Sequence, residues 1–255
     1  MEQQAVAFNA ILTKEVLRFA RIWVQTILPA GITMALYFVI FGNLIGSRIG
    51  TISGISYIDY IVPGIILMAV INNAYANVVS SFYSAKFQKH VEEMLVSPMP
   101  NYLIVLGFMA GGMARGFAVG VVVVGVAMFF TDLSVHSVPV SIAVVILTSM
   151  LFSLAGLINA VFANSFDDIS IIPTFVLTPL TYLGGVFYSI DMLPDFWRAV
   201  SLANPILYMV NAFRYGMLGE TDTSLLLAFG IIILFVVALF LVALQLLRKG
   251  VGIRT

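Results

Sequence analysis

The stretch YSIDMLPDFWRAVSLANPILYMVNAFRYGMLGE, residues 188–220, separates two long uncharged segments and decides the fold. It contains two prolines, Pro194 and Pro205, and two arginines, Arg198 and Arg214. The uncharged segments on either side are long and apolar enough to enter a membrane. The number of crossings therefore depends on whether this stretch crosses the membrane, stays outside it, or enters and returns.

The composition predicts an integral membrane protein built of helices. Hydrophobic residues make up 61% of the chain and charged residues 9%, with a mean hydropathy of +1.08. Soluble domains are about 45–50% apolar and about 25% charged. Helices fit a lipid environment because each one satisfies its own backbone hydrogen bonds. The zero net charge gives no indication of nucleic-acid binding, and the absence of cysteine excludes thiolate metal sites.

Six transmembrane helices are predicted from the charge-free runs, because a span needs about 20 apolar residues. They lie near 22–44, 58–79, 104–130, 139–162, 169–188 and 223–247. One set of helix ends carries eight lysines and arginines and the other carries three. The eight are Lys14, Arg18, Arg21, Lys86, Lys89, Arg248, Lys249 and Arg254, and the three are Arg48, Arg198 and Arg214. The side with eight is expected to be cytoplasmic, so both termini are predicted to face the cytoplasm.

Two further helices are predicted on that cytoplasmic side. Residues 4–21 place apolar side chains on one face, which predicts an interfacial helix in the headgroup plane. A basic tail with weak helicity is the alternative. Residues 84–97 predict an amphipathic helix that ends before Pro98, since proline disfavours helix in the preceding residue. Its charges suit a cytoplasmic partner, and a solvated hairpin without a partner is the alternative.

Residues 189–222 predict a pair of short helices. Asn204 is a suitable helix cap with Pro205 in the first helical position, and Gly219 fits the position after the helix end. Helix 205–218 would be about 21 Å long, which is too short for a ~30 Å hydrocarbon core. The pair is therefore predicted to enter from the outer side and return as a re-entrant hairpin. Arg214 is expected to pair with one of four nearby acids, Asp191, Asp195, Glu220 or Asp222.

The run LTPLTYLGGVFYSIDMLPDFWRAVSLANPILYMVNAFRYG, residues 177–216, resembles the signature of the ABC-2 type transport permeases. The positions of the hairpin that carry the resemblance include Leu193, Pro194, Pro205, Tyr208 and Arg214. The cytoplasmic loop is also similar to the family's pattern, at Glu92, Leu95, Ser97 and Pro98. Many members have Gly-Thr where this chain has Lys89-His90.

The resemblance implies one ABC-2 transmembrane domain over residues 1–255, the membrane subunit of an exporter in the bacterial inner membrane. Two copies would pair within membrane lipid, and two cytoplasmic ATPase subunits would bind ATP and Mg. An amphipathic or lipid-linked molecule would be the substrate. The ATPase would dock on the 84–97 coupling helix, at Lys86, Lys89, His90, Glu92, Glu93, Ser97 and Pro98.

The chain itself has no G-x-x-x-x-G-K-[ST] phosphate loop. ATP hydrolysis is therefore expected in a separate polypeptide, and neither a cofactor nor an enzymatic activity is expected here. A stand-alone channel or secondary carrier is the first alternative function. An intramembrane enzyme is the second, but its histidine would have to lie in a span, and His90 and His136 lie outside the predicted spans. Neither histidine has neighbours of metal-ligand type, so no metal site is predicted.

Several polar residues and glycines fall inside the predicted spans. Asn73, Asn77, Thr178 and Tyr182 are candidates for lining a transport path, and hydrogen bonding between helices is the alternative. Gly112, Gly116 and Gly120 recur every four residues, which predicts close approach of another helix. Arg115 lies beside them. It is either a functional charge within the membrane or a side chain that extends to the inner edge.

Overall fold

The computed structural model describes residues 2–52 and 54–252 of the 255-residue chain, and nearly all of its regular structure is helical. Arg254, one of the eight predicted cytoplasmic cations, lies outside the described residues. In chain order the helices are α1 (Glu2–Arg21), α2 (Trp23–Ile49), α3 (Tyr57–Phe87), α4 (His90–Val96), α5 (Asn101–Ala127), α6 (Val138–Phe162), α7 (168–182), α8 (Asp195–Leu202), α9 (Pro205–Leu218) and α10 (Leu225–Lys249). A short antiparallel ribbon of β1 (Thr51–Ile52) and β2 (Ile55–Ser56) joins α2 to α3.

Among the described residues, five helices are long and apolar enough to cross a membrane, namely α2, α3, α5, α6 and α10. Their mean hydropathies run from 1.5 for α3 to 3.4 for α10. The low value of α3 fits its position, because 83% of its most apolar window is buried by other helices. In α10 only 17% of the corresponding segment is buried by other helices. Its high hydropathy suits a helix whose surface faces lipid.

The predicted fifth span, 169–188, corresponds to the shorter and irregular helix α7. Three consecutive five-residue segments form it, 15 residues in all, of which the middle one (Pro173–Leu177) is π-helical. Pro173 and Pro179 each remove a backbone donor from the helix, which accounts for the irregularity. The helix ends at Tyr182 because the chain then turns through Gly185, whose φ is +70°. At about 22 Å, α7 is shorter than the other candidate spans.

The core is formed by α3 and the two helices that pack along it, α5 and α6. Alanine at Gly112 of α5 would place its Cβ 2.5 Å from Val78 Cγ2 and 3.0 Å from the Ala74 carbonyl oxygen of α3. Gly156 of α6 lies against the Tyr75 carbonyl oxygen in the same way, at 2.7 Å. The predicted role of the glycine series in close helix packing is confirmed, because only a missing side chain allows these approaches.

Helices α8 and α9 form a helical hairpin, in which α9 packs against α3, α6 and α10. The predicted helix ends are confirmed: Asn204 Oδ1 accepts a hydrogen bond from the Ile206 amide at 3.0 Å, and Gly219 takes a φ of +81°. The two ends of the hairpin lie together, since Ser189 Oγ donates to Asp222 Oδ2 at 3.3 Å. The end of α9 also lies beside the α5–α6 loop, where the His136 amide donates to the Met217 carbonyl at 3.0 Å.

Candidate functional site

The connection between α3 and α5 differs from the single helix that the sequence predicted over 84–97. Helix α3 continues to Phe87, and α4 begins only at His90. Between them Lys89 adopts a left-handed conformation with a φ of +62°, which interrupts the helix. The prediction of one helix is therefore wrong, and Lys86 belongs to α3. Positive φ favours glycine, so lysine is an unusual residue in this conformation.

Helix α4 is anchored by one fully buried residue, Val91, and presents His90, Glu93 and Val96 outward. Two apolar side chains in this region are unusually exposed, Phe87 at 67% and Val96 at 83%. Exposed polar and charged residues flank them. We call this set the coupling surface, and its members are Phe87, Lys89, His90, Glu93, Val96 and Pro98. Glu92 and Ser97 are half-buried at its edge.

A groove of about 600 Å³ runs beside the coupling surface, between α1 and the segment that joins α4 to α5. Ser97, Pro98 and Leu103 form one wall and Gln4, Ala7 and Ile11 of α1 form the other. Ser97 Oγ donates to the Met94 carbonyl at 2.7 Å and so closes the end of α4. The structure thus brings the N-terminal helix and the α4 region to one site, which the sequence did not predict.

Lys86 makes contacts inside the protein. Its Nζ donates to the carbonyl oxygens of Val161 and Ala163, both at 2.7 Å. These are free carbonyl groups at the C-terminal end of α6, where a cation is favoured by the helix dipole. Lys86 therefore joins the end of α3 to the turn that leads into α7.

The turn itself is held by Asp168 at the start of α7. Its Oδ2 accepts hydrogen bonds from the amides of Asn164 at 2.9 Å and Ser165 at 3.2 Å. The bond from Asn164, followed by the hydrogen bond with Ser165, lowers the pKa of the Asp168 carboxyl below its ordinary value. Asp168 is thus a turn-stabilising carboxylate. Within the described residues, no group of three or more His, Asp or Glu side chains is arranged to hold a metal ion.

Two of the candidate path residues, Asn73 and Asn77, accept hydrogen bonds from arginines. Asn77 is fully buried, and Arg18 Nη2 donates to its Oδ1 and to its carbonyl oxygen, both at 2.8 Å. Asn73 accepts from Arg115 Nη2 at 3.0 Å, and the same nitrogen reaches the Thr26 carbonyl oxygen at 3.3 Å. The Arg115 side chain therefore points toward α3 and α2. Whether Asn73 and Asn77 line a transport path stays a prediction.

Glu15 is a buried acid that the sequence did not single out. Its side chain is completely inaccessible, and its Oε1 accepts from Ser81 Oγ at 2.6 Å. Lys14 Nζ and Arg18 Nε lie 3.7 and 3.6 Å from its two oxygens. The missing side chain of Gly111 on α5 makes room for Glu15. In the sequence, the i, i+3 spacing of Glu15 and Arg18 could have indicated an ion pair on α1. The burial of the carboxylate could not be predicted, because it depends on how α1 packs against the other helices.

The other two candidate path residues lie on α7, most of which is exposed in a single chain. Tyr182 places its hydroxyl 3.2 Å from that of Tyr37 on α2. Thr178 Oγ1 donates to the Pro173 carbonyl oxygen at 2.9 Å, across the π-helical segment. Phe175, in the π-helical segment of the same helix, is 73% exposed. No residue of the described part of the chain covers this face of α7.

The signature residues of the hairpin hold α8 and α9 to the rest of the protein. Pro194 and Leu193 immediately precede α8, and Pro205 is the first residue of α9. Tyr208 donates its hydroxyl to the Leu202 carbonyl at 2.8 Å, which ties the two helices together. Next to Pro205, Asn204 Nδ2 donates to the Leu180 carbonyl of α7 at 2.6 Å.

Arg214 is fixed at the centre of this assembly with 1% of its surface exposed. It donates to the Gly185 carbonyl at 2.7 Å, to Asn211 Oδ1 at 2.9 Å and to the Tyr60 carbonyl at 3.4 Å. Its guanidinium carbon also lies 4.0 Å from the centre of the Tyr60 ring.

The expected ion pair of Arg214 with an acid is wrong. Among the described residues no carboxylate oxygen lies within 4 Å of its nitrogens, and Asp191 instead pairs with Arg198 at 2.9 Å. The Gly185 carbonyl, in the turn after α7, and the Asn211 side chain take the place of the acid. The contact to Tyr60, 154 residues away in the chain, left no signal in the sequence.

Comparison with known proteins identifies the family. The sequence model described as "ABC-2 type transporter" matches residues 6–218. Inner membrane transport permease YadH of Escherichia coli (strain K12) is 56% identical over 250 residues, or 98% of each chain. Nodulation protein J of Rhizobium leguminosarum bv. viciae is 25% identical over 209 residues, or 82% of this chain and 81% of that protein. The chain therefore belongs to the ABC-2 type transporter family.

Proposed function

We propose that this chain is the membrane permease subunit of an exporter that is powered by a separate ATPase. The observation that carries the proposal is the coupling surface on α4, which presents charged and apolar side chains beyond the end of the central helix α3. Exposed apolar side chains of this size favour a protein contact. The sequence supports a separate ATPase because it has no phosphate-binding loop.

The ATPase would dock on the coupling surface and in the adjoining groove. Lys89, His90, Glu93 and Pro98 would contact it directly, and Glu92 and Ser97 would border the contact. ATP and Mg would be bound by the ATPase, with no cofactor in this chain. Lys86 would act differently from the other predicted docking residues, because its amine is occupied by the end of α6.

Two copies of the chain would surround the transport path. The exposed face of α7 supports this arrangement, because the polar residues Thr178 and Tyr182 lie on it and are exposed in a single chain. A second copy would cover this face. The substrate would be amphipathic or lipid-linked, as the family resemblance implies, and would move from the cytoplasm outward along α7.

The chain would cross the inner membrane six times, with both termini in the cytoplasm. Helix α7 would make the fifth crossing together with the loop that follows it, and α8 and α9 would enter from the outer side and return. The adjacent ends of the hairpin support this path, as does the distribution of Lys and Arg. The name of the relative YadH, an inner membrane transport permease, supports the same location.

The proposal is tested by purifying the chain with its candidate ATPase and measuring vanadate-sensitive, substrate-stimulated ATP hydrolysis. Val96→Asp is expected to abolish co-purification, because it places a charge within the apolar part of the coupling surface. Val135→Asp, also at an exposed valine but in the α5–α6 loop, is the matched control and is expected to retain the complex.

Two results would contradict the proposal. One is full co-purification and stimulation with the Val96→Asp variant. The other is substrate transport by the isolated chain in liposomes without any ATPase, which would favour a stand-alone channel or secondary carrier.

A further inference from the structure

A second cavity, of about 460 Å³, lies on α1 at a distance from the groove described above. Its walls are the side chains of Lys14, Leu17, Arg18, Arg21 and Ile22. The three cations follow one another at i, i+4 and i+7, which places them on one face of the helix. The aliphatic side chains between them give the cavity an apolar floor beneath a row of positive charge.

The local charge is not balanced within the protein. Glu15 is the carboxylate that pairs with these cations, at 3.7 Å from Lys14 and 3.6 Å from Arg18. Arg21 forms no ion pair with any described residue. Three cations and one acid leave a surplus of two positive charges. Lys14 remains half exposed, with 50% of its side chain accessible, so the cavity can receive an anion.

We propose that this cavity binds the headgroup of an anionic phospholipid. The apolar floor and the exposed Trp23 next to it fit the acyl region and the membrane interface, where tryptophan is enriched. Anionic lipids of a membrane surface attract basic segments of this kind. A water molecule occupies about 30 Å³ of liquid, so the cavity has room for a phosphate and its glycerol.

The site is connected to the interior through Arg18. The same guanidinium that lines the cavity donates to Asn77 of α3, one helical turn from the Arg115–Asn73 contact. A lipid phosphate on Lys14 and Arg21 would hold α1 in the position that keeps Arg18 on α3. The proposal requires α1 at the membrane surface, and it is independent of the exporter function.

Tryptophan fluorescence tests the proposal directly. The chain has two tryptophans, so Trp197→Phe leaves Trp23 as the sole emitter beside the cavity. In vesicles of phosphatidylcholine mixed with phosphatidylglycerol, we expect brominated phosphatidylglycerol to quench Trp23 more than brominated phosphatidylcholine at equal mole fraction. In Lys14→Gln/Arg21→Gln the relative affinity for phosphatidylglycerol is expected to fall about fivefold for each removed cation.

The matched control is Arg248→Gln/Lys249→Gln, which removes two exposed cations at the end of α10 and is expected to retain the preference. An equal loss in both double variants would overturn the proposal in favour of diffuse surface attraction. Absence of a preference in the parent protein would also overturn it, as would full competition by inorganic phosphate, which would indicate a free-anion site. A cooperative thermal unfolding transition in pure phosphatidylcholine, measured for each variant, verifies folding.

Discussion

The backbone conformation of Lys89 limits which amino acids are favourable at this position. The chain must change direction between α3 and α4, and it does so through a φ of +62° at this residue. A side chain in this conformation brings its Cβ close to the carbonyl oxygen, at a cost of about 1–2 kcal/mol. The exposed amine forms no ion pair within the described residues that would offset the cost.

Lys89→Gly is therefore expected to stabilise the protein by about 1 kcal/mol, because glycine adopts positive φ without this clash. The measurement is thermal unfolding in detergent micelles. Lys89→Ala is the control, since it removes the charge and retains the Cβ, and little stabilisation is expected from it. Equal stabilisation by alanine and glycine would assign the effect to the charge.

Arg214 is the residue on which the hairpin depends most. Arg214→Met is expected to destabilise the protein by roughly 2–4 kcal/mol, because it leaves the Gly185 carbonyl and Asn211 Oδ1 buried without their donor. Arg198→Met is the control. It breaks an exposed ion pair with Asp191, which is expected to contribute at most about 1 kcal/mol. Similar losses in the two variants would contradict the central position of Arg214.

At the scale of single elements, the contact between α3 and α5 depends on residues without side chains. Gly112→Ala is expected to cost about 1–3 kcal/mol, because the added Cβ would overlap Val78 and approach the Ala74 carbonyl oxygen. The measurement is the unfolding free energy in mixed micelles. An unchanged stability would mean that α5 can move away from α3 at no cost.

Gly125 provides a control within the same helix. A Cβ added there meets no atom within 4 Å, so Gly125→Ala is expected to be neutral or to stabilise by up to about 1 kcal/mol through helix propensity. Comparing Gly112→Ala with Gly125→Ala separates the effect of helix packing from the higher helix propensity of alanine.

At the scale of the whole molecule, the path of the chain through the membrane is the feature that most needs a direct measurement. The protein has no cysteine, so single-cysteine variants label cleanly. Met192→Cys, in the segment before α8, is expected to react with a membrane-impermeant maleimide on intact cells. Phe87→Cys, at the end of α3, is expected to react only after permeabilisation. Both native side chains are exposed, at 59% and 67%.

The reverse labelling pattern would invert the proposed orientation of the chain and would contradict the assignment of the coupling surface to the cytoplasmic side. Labelling of both positions on intact cells would contradict the six-crossing topology, because α5, α6 and α7 would make three crossings between them. The variants retain the helices because neither position lies in the packed core.

The sequence by itself determined that the protein is helical and apolar, and where most helices begin and end. Helix positions follow from local features of the sequence, such as the charge-free runs, the Asn204 cap and the glycine at 219. These features involve residues close together in the chain, so the sequence is sufficient to predict them. It also determined the family, through the spacing of Pro194, Pro205 and Arg214.

Only the tertiary structure decided which polar groups meet. The partners of Arg214 are carbonyl groups from distant segments, and every residue has a carbonyl, so no residue type marks them in a sequence. Lys86 pairs with the end of α6, and Arg18 pairs with Asn77, for the same reason. Helix α7 ends early because Gly185 turns the chain, and Glu15 is buried because α1 packs it against Gly111. Such contacts depend on how helices pack, and packing joins residues that are far apart in the chain.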